Sequence, residues 1–251
     1  MPPSKRQREI LRVLENEGTV ALSALARKLE VSLETIRRDL KPLADNGSLI
    51  KTHGSVSLAS MVGEAPFERR MRENSDAKRA IAAAVAATIR DGDSIMMDTG
   101  TTTSFLAREL LGHRRLTVVT NSSDIARTLA TLNDNKVYMA GGELRSDNGA
   151  AFGSTAIDFI NRFSVTHAII STGAVNAHGM MDYDLDEAEF ARMVLTRGRR
   201  TLVVTDHSKF GREGLVRVCG FEAVTELVTD HQPPTDIAQA IAEAGARLTL
   251  A

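Results

Sequence analysis

The chain has 251 residues, 43% hydrophobic and 25% charged, with 31 Lys+Arg against 32 Asp+Glu. That suits a soluble protein with room for two domains. No apolar run approaches the ~18–20 residues of a membrane span, the first residues lack a signal-peptide core, and the single Cys219 excludes an internal disulfide or a cysteine metal cluster, so a reducing cytoplasm is expected.

Charge is unevenly placed. Residues 1–79 hold 15 Lys+Arg and 11 Asp+Glu, a balance of +4, and the remainder holds 16 and 21, a balance of −5. A basic N-terminal part ahead of an acidic body is the footprint of a nucleic-acid reader joined to something else.

Lys5–Glu17 predicts a first helix, stopped by Gly18. Ala21–Leu29 predicts a second, and Glu30-Val31 a tight turn. Ser32 then caps a third helix, in which Leu33, Ile36, Leu40 and Leu43 recur at spacings of three and four as an apolar stripe. Ser32, Thr35 and Arg38 recur every three residues on another side, extended by the i,i+4 pair Arg37 and Lys41. Hydroxyls and guanidinium groups on one helix face are what reading a DNA major groove requires. Pro42 inside this helix predicts a bend or an early end, and Asn46-Gly47 a C-terminal stop. Ser48–Thr52 and Ser55–Leu58 read as two short strands around His53-Gly54. Three helices and a hairpin make a winged helix-turn-helix, with Lys51 and His53 on the wing against phosphate or the minor groove.

VSLETIRRDL, followed by Leu43, Gly47 and Lys51-Thr52-His53-Gly54, resembles the N-terminal signature of DeoR-type bacterial transcriptional regulators. The second glycine usual after His-Gly in that family is Ser55 here. The expected domains are 1–58, a winged helix-turn-helix that binds DNA; 59–77, a linker becoming helical; and 78–251, an effector-sensing α/β domain. Phe67 and Met71 are expected to anchor the linker on the second domain. The cluster Arg69-Arg70-Met71-Arg72 reads as a solvated helix rather than a DNA contact.

From Lys78 onward helices alternate with short buried strands. Strands are expected at Ile95–Met97, Val118–Thr120, Val137–Met139, Ala168–Ser171, Leu202–Thr205 and Leu227–Thr229, with Leu248–Leu250 as a last edge. Helices are expected at Lys78–Arg90, Thr102–Leu111, Ser123–Leu132, Ala156–Phe163, Glu187–Arg197 and Asp236–Ala244. This alternation implies βαβ units and a mainly parallel sheet, hence an α/β fold class.

The strands exit into Asp98-Thr99-Gly100-Thr101-Thr102, Thr120-Asn121-Ser122, Gly141-Gly142, Ser171-Thr172-Gly173 and Thr205-Asp206-His207-Ser208-Lys209. Small hydroxyls, glycine and charge at the carboxyl edge of a parallel sheet mark a ligand site. A helix beginning just after Gly100-Thr101 suits a phosphate at its N-terminus. Thr101, Thr102, Asn121 and Ser122 are candidate donors, Lys209 a candidate counter-charge, and Asp98, Asp184 and Glu187 candidate acceptors for sugar hydroxyls. The order DTGTTT, TNS, AGG, DHSKF is similar to the DeoR sensor domain, whose fold is like ribose-5-phosphate isomerase and glucosamine-6-phosphate deaminase. The resemblance implies a phosphorylated sugar effector, its phosphate on Gly100-Thr101-Thr102 and near Lys209.

No GxGxxG follows a strand and no P-loop is present, so no nicotinamide cofactor is expected. His113, His167, His178, His207 and His231 show no metal-ligand spacing, so no metal is expected; His207 belongs to the site rim. The resulting reading is a DNA-binding regulator, usually a repressor in that family, acting on operator DNA as a homodimer or homotetramer. The alternative is a sugar-phosphate isomerase or deaminase with an accessory N-terminal domain, since Asp98, Asp184, Glu187 and Lys209 are groups that proton transfer beside a carbonyl uses.

Overall fold

The computed structural model describes residues 4–17, 19–45, 49–52, 54–58 and 64–251. The chain divides into two compact units, Met1–Arg69 and Arg70–Ala251. No helix among the described residues is long and apolar enough to cross a membrane.

The first unit holds α1 (Lys5–Glu17), β1 (Val20–Ala21), α2 (Leu22–Lys28), α3 (Leu33–Asp45), β2 (Leu49–Thr52) and β3 (Ser55–Leu58). Its core is Ile10 and Leu14 of α1, Leu25 of α2, Ile36, Leu40 and Leu43 of α3, and Val56 of the hairpin. β3 pairs antiparallel with β2, and also with β1 through Val20↔Val56 and Ala21↔Ser55. The two-residue β1 is too short for a periodicity signal, so the sheet has one strand more than expected. The wing turn at Gly54 (φ +80°) also accepts from the Leu22 amide at 2.9 Å, tying the wing to the start of α2.

The turn between α2 and α3 is a Schellman motif. Val31 N–H bonds to Ala26 C=O at 3.0 Å and Glu30 N–H to Arg27 C=O at 3.2 Å. Glu30 takes the left-handed position at φ +52°, where glycine is usual. Ser32 caps α3, its hydroxyl accepting from the Thr35 amide at 3.1 Å.

Two sequence expectations change here. Leu33 lies in the first turn of α3 and is 37% exposed, so the apolar stripe starts at Ile36. Pro42 does not end the helix, which runs on to Asp45. Pro42 is exposed, so the Arg38 carbonyl that it cannot bond lies on the solvent side of the helix. The Asn46-Gly47 stop falls outside the described residues.

The short helix α4 (Phe67–Arg70) runs across the boundary in the chain, and in the second unit α5 (Ser75–Ala86) packs on the sheet. The buried Lys78 ammonium donates to Glu73 C=O at 2.8 Å and to Arg70 C=O, serving the open carbonyls of the preceding turn. Met71 packs on the second unit's core, as expected. Then follow β4 (Ser94–Met97), α6 (Thr101–Glu109), β5 (Thr117–Thr120), α7 (Ser123–Leu129), β6 (Lys136–Met139), α8 (Ser154–Ile160), β7 (Val165–Ile170), β8 (Ala174–Asn176), β9 (Gly179–Asp182), α9 (Leu185–Leu195), β10 (Gly198–Val204), β11 (Val216–Cys219), β12 (Glu226–Thr229), α10 (Thr235–Glu243) and β13 (Arg247–Leu250).

Seven of these strands form one sheet in the order β13-β12-β10-β7-β4-β5-β6, every pairing parallel. Strand residues alternate between two cores. Met96, Ala168, Ile170, Val203 and Leu227 join α8, α9 and α10 on one face. Ile95, Met97, Ile169, Leu202, Val204 and Val228 join α5, α6 and α7 on the other. The result is a three-layer α/β/α unit.

The chain lays down β4, β5 and β6 in one direction. It then returns to the other side of β4 for β7 and continues outward through β10, β12 and β13. The carboxyl ends of β4 and β7 therefore flank the topological switch point, where an open α/β sheet has its natural crevice.

Beside it stands a second sheet, β11-β9-β8, antiparallel throughout. None of its strands is among those expected from the sequence. Its strands are three or four residues long, and Gly179-Met180-Met181-Asp182 does not alternate.

Candidate DNA-reading face and effector site

On α3 the residues that do not build the core point outward. Ser32, Arg37, Arg38 and Lys41 are exposed and Thr35 is half-buried. The Ser32 and Thr35 hydroxyls lie 2.8 Å apart at the N-terminus, and Arg37 makes an exposed 3.6 Å contact with Glu34, a pair that contributes little. Arg38 and Lys41 pair with no described residue and remain available to a polyanion. Asp39 is held away from that face: its carboxylate pairs with Arg6 of α1, and its carbonyl accepts from Gln7 at 3.0 Å. The one acid between Arg38 and Lys41 is thus paired with a cation of α1. Lys51 lies on β2, opposite Val56. His53 lies outside the described residues.

The second unit's candidate residues gather at the switch point. Gly100 caps α6 in an extended conformation (φ −179°) that any residue adopts. Its requirement is space. A Cβ there would lie 1.8 Å from Ser171 Oγ and 2.9 Å from Ser171 Cβ. Gly100→Ala is expected to lower the melting temperature by about 2–12 °C, the range of an overpacking cost of about 1–3 kcal/mol in a unit of this size. Adding Ser171→Gly should recover most of the loss. An unchanged melting curve for Gly100→Ala alone is the result that contradicts this packing.

Both Asp98 carboxylate oxygens lie 3.1 Å from the Ser171 amide, bracing β4 to β7. Burial raises the Asp98 carboxyl well above the usual range. The charges of Asp182 and Glu187 push the same way, while the Ser171 amide and Thr103 hydroxyl oppose them. Three acids therefore share this corner, and the buried Asp182 was not picked out in the sequence. Asp98 is only 6% exposed, more a brace than the open acceptor the sequence suggested. Gly173 packs under Tyr183, whose ring would be 3.0 Å from an added Cβ.

Thr101, Thr102 and Asn121 are buried, as are Thr103 and Ser104. Thr103 Oγ1 bonds to the Asp98 and Gly100 carbonyls, both at 3.1 Å. Thr99 Oγ1, Ser104 Oγ, Asn121 Oδ1 and Thr205 Oγ1 are buried with no hydrogen-bond partner among the described residues. Unsatisfied buried polar atoms are costly, and these four stand near strand ends and helix starts on the candidate edge. Asn121 Nδ2 is spoken for by Ala151 C=O at 2.9 Å. Ser122 caps α7, accepting from the Ile125 amide at 3.4 Å. Gly141 and Gly142 are exposed beyond the end of β6.

The loop 143–153 folds back along this edge, through bridges Ser122↔Ala150 and Leu144↔Ala151. It delivers Arg145, absent from the sequence reading. Arg145 lies 3.0 Å from Asp184, 3.7 Å from Glu187 and 2.7 Å from Asp147, with its guanidinium 5.3 Å from the Phe152 ring centroid. The Asp147 bond, with Asp184 and Glu187 behind it, raises its pKa further against the opposing effect of burial. Asn148 also donates to Glu187 at 2.9 Å. Asp184 caps α9 through the Glu187 amide at 3.1 Å. Asp184 and Glu187 are thus together, as expected, with a cation the sequence did not suggest.

Lys209 ends the 3-10 turn His207–Lys209 that follows β10. In sheet order β10 and β4 are two strands apart, about 10 Å at the usual spacing. Lys209 and Gly100 therefore lie on one edge without being neighbours. Asp206 receives the Ser208 amide and the Asn74 side-chain amide, each at 3.0 Å.

A profile described as the DeoR-like helix-turn-helix domain matches residues 6–62, and one described as the DeoR C terminal sensor domain matches residues 73–231. The chain belongs to the DeoR family. Among DeoR relatives, the glycerol-3-phosphate regulon repressor of Escherichia coli is 32% identical over 251 residues, covering 100% of both chains. The HTH-type transcriptional repressor CsqR of Escherichia coli is 35% identical over 230 residues, 91% of this chain and 88% of that one. Among solved structures, ribose 5 phosphate isomerase A from Neisseria gonorrhoeae aligns with a TM-score of 0.39 at 18% identity, over 53% of this chain and 52% of that one. The DeoR matches thus span both the exposed face of α3 and the switch-point edge.

Proposed function

We propose that this DeoR-family chain is a cytoplasmic repressor of a carbohydrate- or polyol-phosphate-utilisation operon, released when a small phosphorylated metabolite binds its second unit. The observation that carries the proposal is the outward face of α3. Ser32, Thr35, Arg37, Arg38 and Lys41 stand clear of a core that needs none of them. Relatives matched along their whole length are named as repressors, one of a glycerol-3-phosphate regulon. That favours regulation over the isomerase or deaminase reading.

Two copies are needed to place reading helices in successive major grooves about 34–36 Å apart, so the working form is a homodimer or a dimer of dimers. The effector's anion is assigned to Gly100-Thr101-Thr102 at the N-terminus of α6, with Asn121, Ser122, Gly141, Gly142 and Gly173 lining the edge. Asp184 and Glu187, held by Arg145, are assigned to hydroxyls, and Lys209 to charge. Asp98 supports the loop from beneath. The effector acts by binding the DNA-competent and released conformations unequally.

The test is footprinting of fragmented genomic DNA with the purified full chain, then addition of glycerol 3-phosphate and a panel of sugar phosphates. Discrete protected sites are expected, with protection lost on adding one phosphorylated compound and retained with its unphosphorylated parent. A chain that protects no site overturns the regulator. Release by the unphosphorylated parent equally overturns the phosphate assignment.

A further inference from the structure

Two strands away from the switch point, the same edge carries a cluster that the proposed repressor does not use. His207 follows β10, and Asp230 and His231 follow β12, the strand next to it. Twenty-odd residues apart in sequence, they have no recognisable ligand spacing. The fold nevertheless brings His207 Nδ1 to 2.6 Å and His231 Nδ1 to 2.7 Å from the same oxygen, Asp230 Oδ2. The three ligand atoms lie within 4.8 Å of one another.

We propose that His207, Asp230 and His231 bind a divalent transition-metal ion of the zinc class, with open coordination positions toward solvent. Two imidazole nitrogens and one carboxylate oxygen are the donor set such ions take. The carboxylate is oriented for the task. Its other oxygen, Oδ1, accepts the His207 amide at 2.7 Å, leaving Oδ2 to the rings. Hydrogen-bonded support of this kind fixes ligating carboxylates. Without a cation, Oδ2 accepts a hydrogen bond from each ring that carries its proton on Nδ1. A single metal ion replaces both protons at once.

The geometry needs little adjustment. Donors about 2.1 Å from a shared ion stand roughly 3.0–3.4 Å apart, so each ring opens by less than about 1 Å. Both rings are free to do so: His207 is 45% and His231 68% exposed, while Asp230 is 6% exposed and stays fixed. The ring centroids are 4.6 Å apart and tilted by 59° rather than stacked. A bound dication would add positive charge to the 3-10 turn that carries Lys209.

The experiment uses the full chain, free of any histidine tag, stripped with chelator and titrated with Zn2+ against a chromophoric competitor. One Zn2+ per chain is expected, weakened at least tenfold in His231→Ala and in His207→Ala. Cys219→Ser should bind as wild type, because burial pushes that thiol up to about 12 and keeps it protonated. The metal-free melting temperature of His231→Ala should match wild type, since the ring is exposed. Absence of binding at 100-fold excess Zn2+, or alanine variants that titrate like wild type, overturns the site. Neither result bears on DNA protection or its release by phosphorylated compounds.

Discussion

Arg38→Ala is expected to remove specific operator binding while leaving effector binding and folding intact. The side chain is exposed and pairs with no described residue, so its loss costs the folded unit little. Toward DNA the position is different. An arginine read against guanine is worth about 1–3 kcal/mol per site. Two copies on a two-fold operator lose roughly 2–6 kcal/mol, about thirty- to twenty-thousand-fold in affinity. Competition between operator and random duplex separates the possible roles. A base-reading arginine loses discrimination at one position, whereas a phosphate contact weakens both duplexes alike and lowers the salt slope by about one per arginine. Gel shifts in which Arg38→Ala retains wild-type affinity would show that α3 is not the reader.

The second large effect is on heat stability. A ligand present at a hundred times its dissociation constant stabilises the native state by about 2.7 kcal/mol. For a unit of this size that is roughly 5–11 °C in melting temperature. A thermal-shift screen of glycerol 3-phosphate and sugar phosphates should therefore contain one compound with a rise of that order. In Lys209→Ala most of the rise should vanish, while the ligand-free melting temperature stays within a few degrees of wild type. A rise preserved in the variant removes Lys209 from the site and shifts the anion wholly onto the α6 N-terminus.

Much of this was legible in the sequence because the signals were local. Period-3.6 spacing placed Ile36, Leu40 and Leu43 in the first core, and short apolar runs marked every strand of the seven-stranded sheet. The runs ending in Asp98-Thr99-Gly100 and Ser171-Thr172-Gly173 lie on the two strands that flank the switch point. What escaped was non-local. Arg145 reaches Asp184 and Glu187 only because loop 143–153 folds back. Asp182 belongs to β9, in a sheet whose short strands carry no periodicity. His207 and Asp230 meet because β10 and β12 are neighbours, a fact of topology. Of the bend or early end expected at Pro42, the early end does not occur, since α3 runs on to Asp45.

The division of labour on α3 carries an evolutionary consequence. The side chains that hold the helix in place and those proposed to address nucleic acid are different sets, on different sides of one rod. A lineage can therefore swap the outer set, acquiring a new promoter target, without endangering the scaffold. One architecture could in this way be redirected to many gene clusters by a handful of surface replacements.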